Sequence, residues 1–363
     1  MFDRSIHSYQ LTIPTAQRII AISDIHGNLP VLKKLLKKIS YDPRKDELFL
    51  VGDLLEKGAY NMDTLHYLME LSRNPHVHPM IGNCDVICRN ILYDTRLEFL
   101  KSILMDRKNS LLHEMAAKLG FRIQEETDMK ELSSILRTHY REELEWVDRL
   151  PHVIETQDLI FAHAAIHNED TYGRDMRDIM VYDQFMKGEQ QFHKYVIVGH
   201  LPVSEYCNQI CCFNPIIDHR KKIISIDGGN GVKHAGQLNA LLIQNQQFSY
   251  AFSDSLDKAE ILETVYPQNH DPFFITWHES RVQVLQEEEL RSYCHHIASG
   301  KDLWIPREFL YIQPDGIGAA DYTTYQLPVK KGDKVKVISS YSQASLVKKN
   351  GCMGWVPNRI LKY

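Results

Sequence analysis

The chain has 363 residues, 44% of them hydrophobic, and a formal net charge of −5. This composition provides for a sizeable core and disfavours a nucleic-acid partner, because nucleic-acid binders normally carry a basic excess. No apolar run reaches the roughly 18 residues of a membrane span, and the first residues contain no apolar signal core, so we expect no membrane partner. Seven cysteines without a C-x-x-C pair predict a reducing, cytoplasmic location.

The first part of the chain alternates between predicted strands and helices. An apolar run at 18–23 has the length of a strand, the turn sequence DIHGN follows it, and 29–39 repeats apolar residues at helical spacing. A second strand at 47–53 ends in Gly-Asp, and 61–73 has the pattern of the next helix. A third strand, within 76–85, ends in Gly-Asn. This alternation predicts βαβ units with mostly parallel strands.

The middle of the chain interrupts and then resumes this pattern. Residues 86–150 are charged and helical in pattern, which predicts a helical insertion or lid. Strands are expected at 158–167, 194–203 and 221–229, and antiparallel strands at 236–252. The predicted fold class is therefore α/β, with a first domain at 1–252.

The last hundred residues differ, because they carry three of the four tryptophans and an internal repeat. In both 281–310 and 334–361 a V-x-V strand is followed, about twenty residues on, by glycine, tryptophan, an apolar residue and proline. Short alternating strands with turn signals predict two small β-barrels, at 260–311 and 312–363. A linker is expected near 253–260.

Polar side chains stand at the ends of five predicted strands. They are Asp24, His26, Asp53, Asn83, His163 and His200. Such strand ends share one edge of a parallel sheet, and carboxylates, imidazoles and an amide oxygen suit Mn, Fe or Zn. One histidine alone at a strand end would be read as structural. Six ligands together exceed one tetrahedral site and predict two metal ions about 3.5–4 Å apart, bridged by a carboxylate.

The stretches DIHGN, GDLLEKG, GNCD, AHAA and GHLP follow the order and approximate spacing of the calcineurin-like metallophosphoesterase superfamily, which the chain resembles from residue 18 to residue 245. GDLLEKG and the ending IDGGNGVKHAGQLNALL resemble its bacterial phosphoprotein-phosphatase branch, which includes protein phosphatases and dinucleoside polyphosphate hydrolases. The resemblance implies a β-sandwich flanked by helices and two metals that activate water for in-line attack on phosphorus. It implies a first metal on Asp24, His26 and Asp53, and a second on Asp53, Asn83, His163 and His200.

Three residues depart from the family pattern. Cys84 stands where the family has a histidine that protonates the leaving oxygen, and Glu56 replaces the aspartate that orients this histidine. Lys57 replaces a phosphate-binding arginine and keeps the charge without the bidentate fork. The candidate catalytic residues are therefore Cys84, Glu56 and Asp85, and the candidate substrate-binding residues are Lys57 and Asn83. The alternatives for Cys84 are a nucleophile and a buried structural thiol.

The C-terminal stretch NGCMGWVPNRIL resembles the end of Src-homology-3-like domains, and GKDLWIPREFL is a looser match. This resemblance implies an aromatic groove for a peptide, a protein partner or a cell-wall fragment. The alternative is that Trp304 and Trp355 are barrel core. The motif CNQICC at 207–212 lacks the spacing of a zinc site, so its cysteines are expected to be structural.

Together these features predict a metal-dependent phosphoric ester hydrolase that cleaves phosphate monoesters. Because the general-acid histidine is missing, we expect a protein phosphatase that favours good leaving groups such as phosphotyrosine or aryl phosphate. A phosphodiesterase or dinucleoside polyphosphate hydrolase is the alternative, and a catalytically weak phosphatase-like scaffold is a second one. The complete set of metal ligands disfavours the scaffold.

Overall fold

The computed structural model of the protein describes residues 4–107 and 109–363. The chain forms two compact units. The first contains Met1–Pro202 and Asn214–Ser255, and the second contains Val203–Phe213 and Leu256–Tyr363. Within the described ranges, no helix combines the length and the apolar character that crossing a membrane would require.

The elements of the first unit follow the predicted alternation. Its strands are β1 (Ser8–Gln10), β2 (Arg18–Ile22), β3 (Asp46–Val51), β4 (Val77–Met80), β5 (Val153–Glu155), β6 (Leu159–Ala162), β7 (Tyr195–Val198), β8 (Ile216–Asp218), β9 (Ile223–Ser225), β10 (Leu238–Gln244) and β11 (Gln247–Ser253). Its helices are α1 (Leu29–Lys38), α2 (Asn61–Leu71), α3 (Ile87–Leu92), α4 (Leu97–Asp106), α5 (Leu111–Lys118), α6 (Met129–His139), α7 (Arg141–Asp148) and α8 (Met176–Met180), with a 3-10 helix at Phe185–Lys187.

These strands form two mixed sheets, in the orders β1-β5-β6-β7-β9-β8 and β11-β10-β2-β3-β4. Strands β2, β3 and β4 are parallel, and so are β6, β7 and β9. One apolar cluster draws residues from both sheets, and the rings of Phe49 on β3 and Phe161 on β6 stack with their centroids 3.9 Å apart. The predicted α/β β-sandwich flanked by helices is confirmed.

Helix α1 shows how the sequence pattern produces this packing. It buries Leu29, Val31, Leu32, Leu35 and Leu36 along one face. A proline stands in its first turn, where the missing N–H would have no partner within the helix. Two lysines stand in its last turn, where their positive charges interact favourably with the negative end of the helix dipole. The strands end earlier than predicted, because the polar residues after them leave the extended conformation.

The predicted helical insertion at 86–150 corresponds to helices α3 to α7. Each helix of this segment buries an apolar face, with Leu100 and Leu104 on α4 and Leu132 and Leu136 on α6. Ser110 caps α5 by accepting from the His113 backbone N–H. The loop between α4 and α5 reaches the site described below.

The second unit is built from antiparallel sheets. Its strands are β12 (Asp257–Ile261), β13 (Arg281–Glu287), β14 (Arg291–His296), β15 (Lys301–Pro306), β16 (Tyr311–Gln313), β17 (Gly316–Gly318), β18 (Lys334–Ser340), β19 (Ala344–Lys349), β20 (Cys352–Pro357) and β21 (Leu361–Lys362), and its 3-10 helices are Val203–Tyr206, Arg307–Phe309 and Asn358–Ile360. The sheet orders are β15-β14-β13-β17-β16 and β20-β19-β18-β12-β21.

The internal repeat predicted from the sequence reappears in these sheets. Both copies contain three consecutive antiparallel strands followed by a 3-10 turn, and Trp304 and Trp355 lie on the third strand of each copy. The sheets nevertheless divide the chain differently from the predicted boundaries. The expected linker at 253–260 contains most of β12, which pairs with β18 and β21, whereas β16 and β17 beyond residue 311 complete the first sheet. The segment 203–213, expected in the first domain, belongs to this unit.

Candidate metal centre

The six predicted ligands all lie in loops that directly follow strands of the sandwich. Asp24 and His26 come after β2, Asp53 after β3 and Asn83 after β4, while His163 and His200 follow β6 and β7. Four of them are buried, whereas Asn83 and His200 are partly exposed. The structure therefore brings the whole predicted set to one edge of the sandwich.

The backbone at these positions is held in an unusual conformation. Asp24, His26, Asp53 and His200 have φ values of 55°, 49°, 50° and 70°, in the left-handed region that side chains other than glycine rarely adopt. Such conformations cost free energy, and they persist where the surrounding structure fixes them, as at functional sites. Four of the six ligands are thus presented by strained turns.

Glycines allow the ligand loops to approach one another closely. A Cβ on Gly82 would lie 2.1 Å from the Asp53 backbone nitrogen, and one on Gly199 would lie 2.2 Å from Asp24 Oδ2. Both distances are below any real Cβ contact, so these positions require glycine. This explains the glycine of the GNCD and GHLP stretches.

Asp53 lies at the centre of the group. Asp53 Oδ2 lies 3.8 Å from His26 Nε2, and Asp53 Oδ1 lies 3.4 Å from His163 Nε2. His26 Nε2 is also 3.8 Å from Asp24 Oδ1. Ligand atoms of His26, Asp53 and Cys84 lie within 4.8 Å of one another, and so do those of Asp24, Asp53 and His163. Asp53 belongs to both groups, as a bridging carboxylate would, although the other members differ from the two ligand sets that the resemblance implies.

Asn83 joins two of the histidines. Its Oδ1 lies 2.9 Å from His163 Nε2 and 2.8 Å from His200 Nδ1. These are the atoms through which an amide and two imidazoles would bind a metal. Three members of the second predicted ligand set therefore meet at the Asn83 side chain.

Hydrogen bonds on the far side of the rings fix the ligand nitrogens. His163 Nδ1 lies 3.0 Å from the Val51 carbonyl oxygen, and His26 Nδ1 lies 3.4 Å from that of Leu55. A neutral imidazole that donates from Nδ1 to a carbonyl keeps the lone pair of Nε2 for a metal ion. This arrangement orients metal-binding histidines in many proteins.

The charge balance of the centre calls for cations. In the described part of the chain, Asp24 Oδ1 and Asp227 Oδ2 are buried without a hydrogen-bond partner. Burial and the nearby Asp53 raise the pKa of Asp24 well above its ordinary value, and burial and Asp24 do the same to Asp227. Uncompensated buried carboxylates are costly unless a metal or a cation pairs with them. The donor set fits two metal ions.

Lys57 supplies a positive charge beside the carboxylates. It follows Glu56 in a turn where both residues have positive φ values, 66° and 75°. Burial lowers the pKa of Lys57, but the nearby Cys84, Asp53 and Asp24 raise it by more. The net pKa of Lys57 is therefore above its ordinary value, and the ammonium stays charged. The contact of Lys57 with a phosphate group stays a prediction.

Glu56 does not contact Cys84 but an arginine that the sequence did not reveal. Arg107, in the loop after α4, places Nη1 2.6 Å from Glu56 Oε2 and Nη2 4.0 Å from Cys84 Sγ. Glu56 is fully buried, while the Arg107 side chain is 20% exposed. Glu56 Oε1 also accepts from the Leu111 backbone N–H at 3.0 Å. Glu56 therefore anchors the helical insertion and aims the guanidinium at the thiol.

Cys84 is enclosed between these groups. Its backbone N–H donates to Asp53 Oδ1 at 2.8 Å, and the side chain is almost fully buried. Burial and the charge of Asp53 raise the pKa of the thiol well above its ordinary value. The position that the resemblance assigns to a general acid is therefore occupied by a buried thiol of raised pKa.

Asp85 faces the backbone rather than open space. Its carboxylate accepts from the N–H groups of Gly82, Leu54 and Leu55 at 2.8, 3.2 and 3.0 Å. These bonds tie the loop after β4 to the loop after β3. Asp85 was a predicted catalytic candidate, and its contacts give it the task of holding the ligand loops in place.

Sequence reasoning missed three residues of the site: Arg107, Asp227 and Asn230. Asn230 donates from Nδ2 to the backbone oxygens of Asp24 and Ile25, at 3.2 and 2.8 Å, and so holds the first ligand turn. Asp227 and Asn230 lie in the stretch IDGGN, whose pattern contributes to the resemblance without indicating a role for either residue. Arg107 had no local signal, because it is one charged residue within a charged insertion.

A cavity of about 360 Å³ opens beside Asn83. Its lining combines apolar and cationic side chains from the N-terminal segment, the helical insertion and α8. They include Arg4, Arg96, Phe99, Ile103, Arg107, Met176, Arg177 and Met180. This volume lies within the range of sites that bind small molecules.

Comparisons with known proteins agree with this geometry. The profile of the calcineurin-like phosphoesterase family matches residues 17–237. The symmetrical bis(5'-nucleosyl)-tetraphosphatases of Serratia proteamaculans and Yersinia pestis are 40% and 42% identical over 65 residues, which is 18% of this chain. The match spans only 22%, about a fifth, of the length of these curated relatives.

Two solved structures resemble this chain at low similarity. A putative diadenosine tetraphosphatase is 16% identical with a TM-score of 0.40, over 69% of this chain and 99% of its own. A cold-active protein-tyrosine phosphatase of a Shewanella species is 14% identical with a TM-score of 0.39, over 69% and 83%. Since the family profile covers more than half of the chain, this protein belongs to the calcineurin-like phosphoesterase family of metal-dependent phosphoric ester hydrolases.

Proposed function

We propose that this chain hydrolyses phosphate monoesters whose leaving group departs without a proton, such as aryl phosphates and phosphotyrosine. The observation that carries the proposal is the Cys84 position. A buried thiol occupies it, and the neighbouring carboxylate of Glu56 is paired with Arg107 instead of orienting an imidazole.

Metal ions at the centre would be held by the six ligands described above, with Asp53 shared between them. When bound, such ions neutralise phosphate charge and activate water. Every other contribution comes from the chain itself.

Two cations of the chain flank the place where a phosphate would bind. Lys57 contributes an ammonium, and Arg107 contributes the half of its guanidinium that Glu56 leaves unused. Because Glu56 fixes Nη1, the guanidinium is already oriented toward Cys84 before substrate arrives. Such preorganised donors stabilise charge as it develops on phosphate and leaving oxygens. Asn83 would help position the same phosphate.

The nature of the leaving group decides whether this arrangement suffices. A serine or threonine alkoxide is a poor anion, whereas a phenolate has a conjugate acid with a pKa of about 10. A positioned general acid is typically worth about 10²–10⁴-fold, and it matters most for the poorer leaving group. A thiol of raised pKa donates weakly, so Cys84 supplies little of this factor.

The cavity beside the centre supports a leaving group with an aromatic ring. Phe99, Ile103 and Met180 give it apolar walls, and Arg107 lies within the same lining. Apolar walls with a few polar groups are typical of sites that bind small organic groups.

The test is a turnover panel with added Mn²⁺. It compares p-nitrophenyl phosphate, matched phosphotyrosine and phosphoserine peptides, bis(p-nitrophenyl) phosphate and diadenosine tetraphosphate. We expect kcat/KM for phosphotyrosine to exceed that for phosphoserine by about 10²-fold or more. Asp53→Asn, purified in parallel, controls for contaminating phosphatases. Equal rates on both peptides would refute the proposal.

A second candidate function is hydrolysis of dinucleoside polyphosphates, and the cavity supports it. Arg4, Arg96 and Arg177 line it together with Arg107, which is more charge than one aryl ring requires. A nucleotide leaving group also departs without a proton and carries additional phosphates. Arg96→Gln should then lower kcat/KM for diadenosine tetraphosphate while leaving that for p-nitrophenyl phosphate unchanged. Equal effects on both would argue against this candidate.

For the second unit we keep a peptide or protein partner as a proposal. A groove of about 740 Å³ is lined by Trp304, Tyr322, Tyr341 and Trp355, with acidic residues at Glu288, Glu289 and Glu308. This lining suits an extended segment that contains basic residues. The cytoplasmic location stays a prediction.

A further inference from the structure

Four of the seven cysteines lie in the second unit close to one another. Cys207, Cys211 and Cys212 belong to the segment 203–213, and Cys352 begins strand β20. Sequence spacing gave them no partner, because adjacent cysteines do not easily bond to each other and no metal-site pattern was present. The fold places Cys352 opposite Cys212, far away along the chain.

The backbone shows the relation between these two residues. Cys212 and Cys352 form an antiparallel bridge. The Phe213 N–H donates to the Gly351 oxygen at 2.8 Å, and the Met353 N–H donates to the Cys211 oxygen at 3.0 Å. Both hydrogen bonds flank the pair, so Cys212 and Cys352 occupy a non-hydrogen-bonded position. At such positions the Cα atoms are about 4.5 Å apart, with both side chains on the same face.

This spacing lies in the range that a disulfide requires. Disulfides need Cα atoms about 4.4–6.8 Å apart and Cβ vectors that point together. The Cys352 thiol already hydrogen-bonds with Cys212, a contact that raises the pKa of Cys352. Both cysteines are thiols in this structure and are only half-buried, so a small oxidant can reach them.

A metal site is less well supported by the same residues. Among the described residues, clusters of three or more ligating atoms occur only at the phosphoesterase centre, where no cysteine of the second unit takes part. Cys207 lies beside the pair, with Sγ 3.7 Å from the Cys212 carbonyl oxygen. A hydrogen bond with Cys211 lowers the pKa of Cys207, so Cys207 is the competing thiol that a test must separate.

We propose that Cys212 and Cys352 are a redox site that forms a reversible cross-strand disulfide when the protein meets a peroxide. Because the pKa of Cys352 is raised, the Cys212 thiolate attacks a peroxide oxygen and becomes a sulfenic acid, and the released hydroxide takes up a proton to leave as the first water. The second thiol then attacks the sulfenic sulfur, the S–S bond forms and the second water leaves. Two thiols are oxidised by two electrons, and one hydrogen peroxide is reduced to two waters.

The bond would tie two distant parts of the chain. It joins the segment 203–213, which begins three residues after the metal ligand His200, to the strand β20 near the end of the chain. Cross-linking residues far apart in sequence restricts the unfolded chain and so raises the melting temperature. Transient disulfides of this kind are how reducing compartments use cysteine pairs for sensing.

Tryptic mapping of the full-length protein tests the proposal directly. Cleavage places Cys207, Cys211 and Cys212 together in the peptide 195–220 and Cys352 in the peptide 350–359. After mild hydrogen peroxide treatment and alkylation, we expect these two peptides to be linked, and dithiothreitol to release them. The oxidised protein should melt several degrees above the reduced one.

Single serine variants identify the residue involved. Cys212→Ser and Cys352→Ser should each abolish the linked peptide and the melting shift, whereas the matched control Cys207→Ser should keep both. The peptide mapping of the wild-type protein remains a valid test even if a serine variant fails to fold. Three results would overturn the proposal. The first is a linkage that is lost in Cys207→Ser but kept in Cys212→Ser. The others are a disulfide within the peptide 195–220 and the absence of any linkage at excess peroxide.

Discussion

Replacing Cys84 by histidine should restore part of a general acid and reveal what the thiol lacks. In wild-type enzyme, log kcat/KM should fall steeply as the pKa of the leaving group rises, because poor leaving groups receive no proton. In Cys84→His the slope should become shallower, and the gain should be largest for alkyl phosphates. Aryl phosphates should change little.

The structure sets the size of this gain below the full value of a general acid. Cys84 is almost fully buried, and an imidazole must be fitted beside the Arg107 guanidinium, whose Nη2 is 4.0 Å from the sulfur. Overpacking of this kind costs about 1–3 kcal/mol of stability. Glu56 is already paired with Arg107 and does not orient the new ring. We therefore expect a gain of about 10–10²-fold on alkyl phosphates, at the low end of the usual range.

The assay is a series of aryl and alkyl phosphates of graded leaving-group pKa, measured on wild type, Cys84→His and Cys84→Ala. The alanine variant removes the thiol without adding an acid, so its slope should equal that of wild type. A steeper slope in Cys84→Ala would show that the thiol donates the proton. A flat slope in wild type would show that another residue does so.

Three further predictions follow from contacts in the first and second units. Arg107→Ala should cost about 2–3 kcal/mol of unfolding free energy in urea, because Glu56 is left buried without its partner, and adding Glu56→Gln should recover part of it. Gly82→Ala should cost about 2–3 kcal/mol and reduce metal content, since its Cβ would lie 2.1 Å from a backbone nitrogen. A truncated chain that stops after Ser255 should aggregate or have a lower melting temperature than the full chain, because it lacks the strands that hydrogen-bond to 203–213. An unchanged melting temperature would contradict this.

The meeting of the candidate metal ligands was predictable because their positions depend on local sequence and one topological rule. Strands β2, β3 and β4 are parallel neighbours, so the residues that follow them must meet at one edge. The sequence alone therefore predicts that Asp24, Asp53 and Asn83 lie together. The turn residues around them signalled where each strand ends.

The residues that were missed depend on contacts between distant segments. Arg107 reaches Glu56 only because the insertion folds back over the site, and Cys352 meets Cys212 only through the packing of the second unit. The short strand β12 carries little of the apolar alternation that marks a strand, so its pairing with β18 was invisible in the sequence. Long-range pairing sets these features, and a single sequence records no such pairing.

The central claim is that Asp53 bridges two metal ions. The most direct test is the metal content of purified protein, measured by inductively coupled plasma mass spectrometry together with p-nitrophenyl phosphate turnover. Wild type should bind about two metal ions per chain, Asp53→Asn should lose both with its activity, and His163→Ala should keep about one. Asp53→Asn that retains two metals and full turnover would contradict the account.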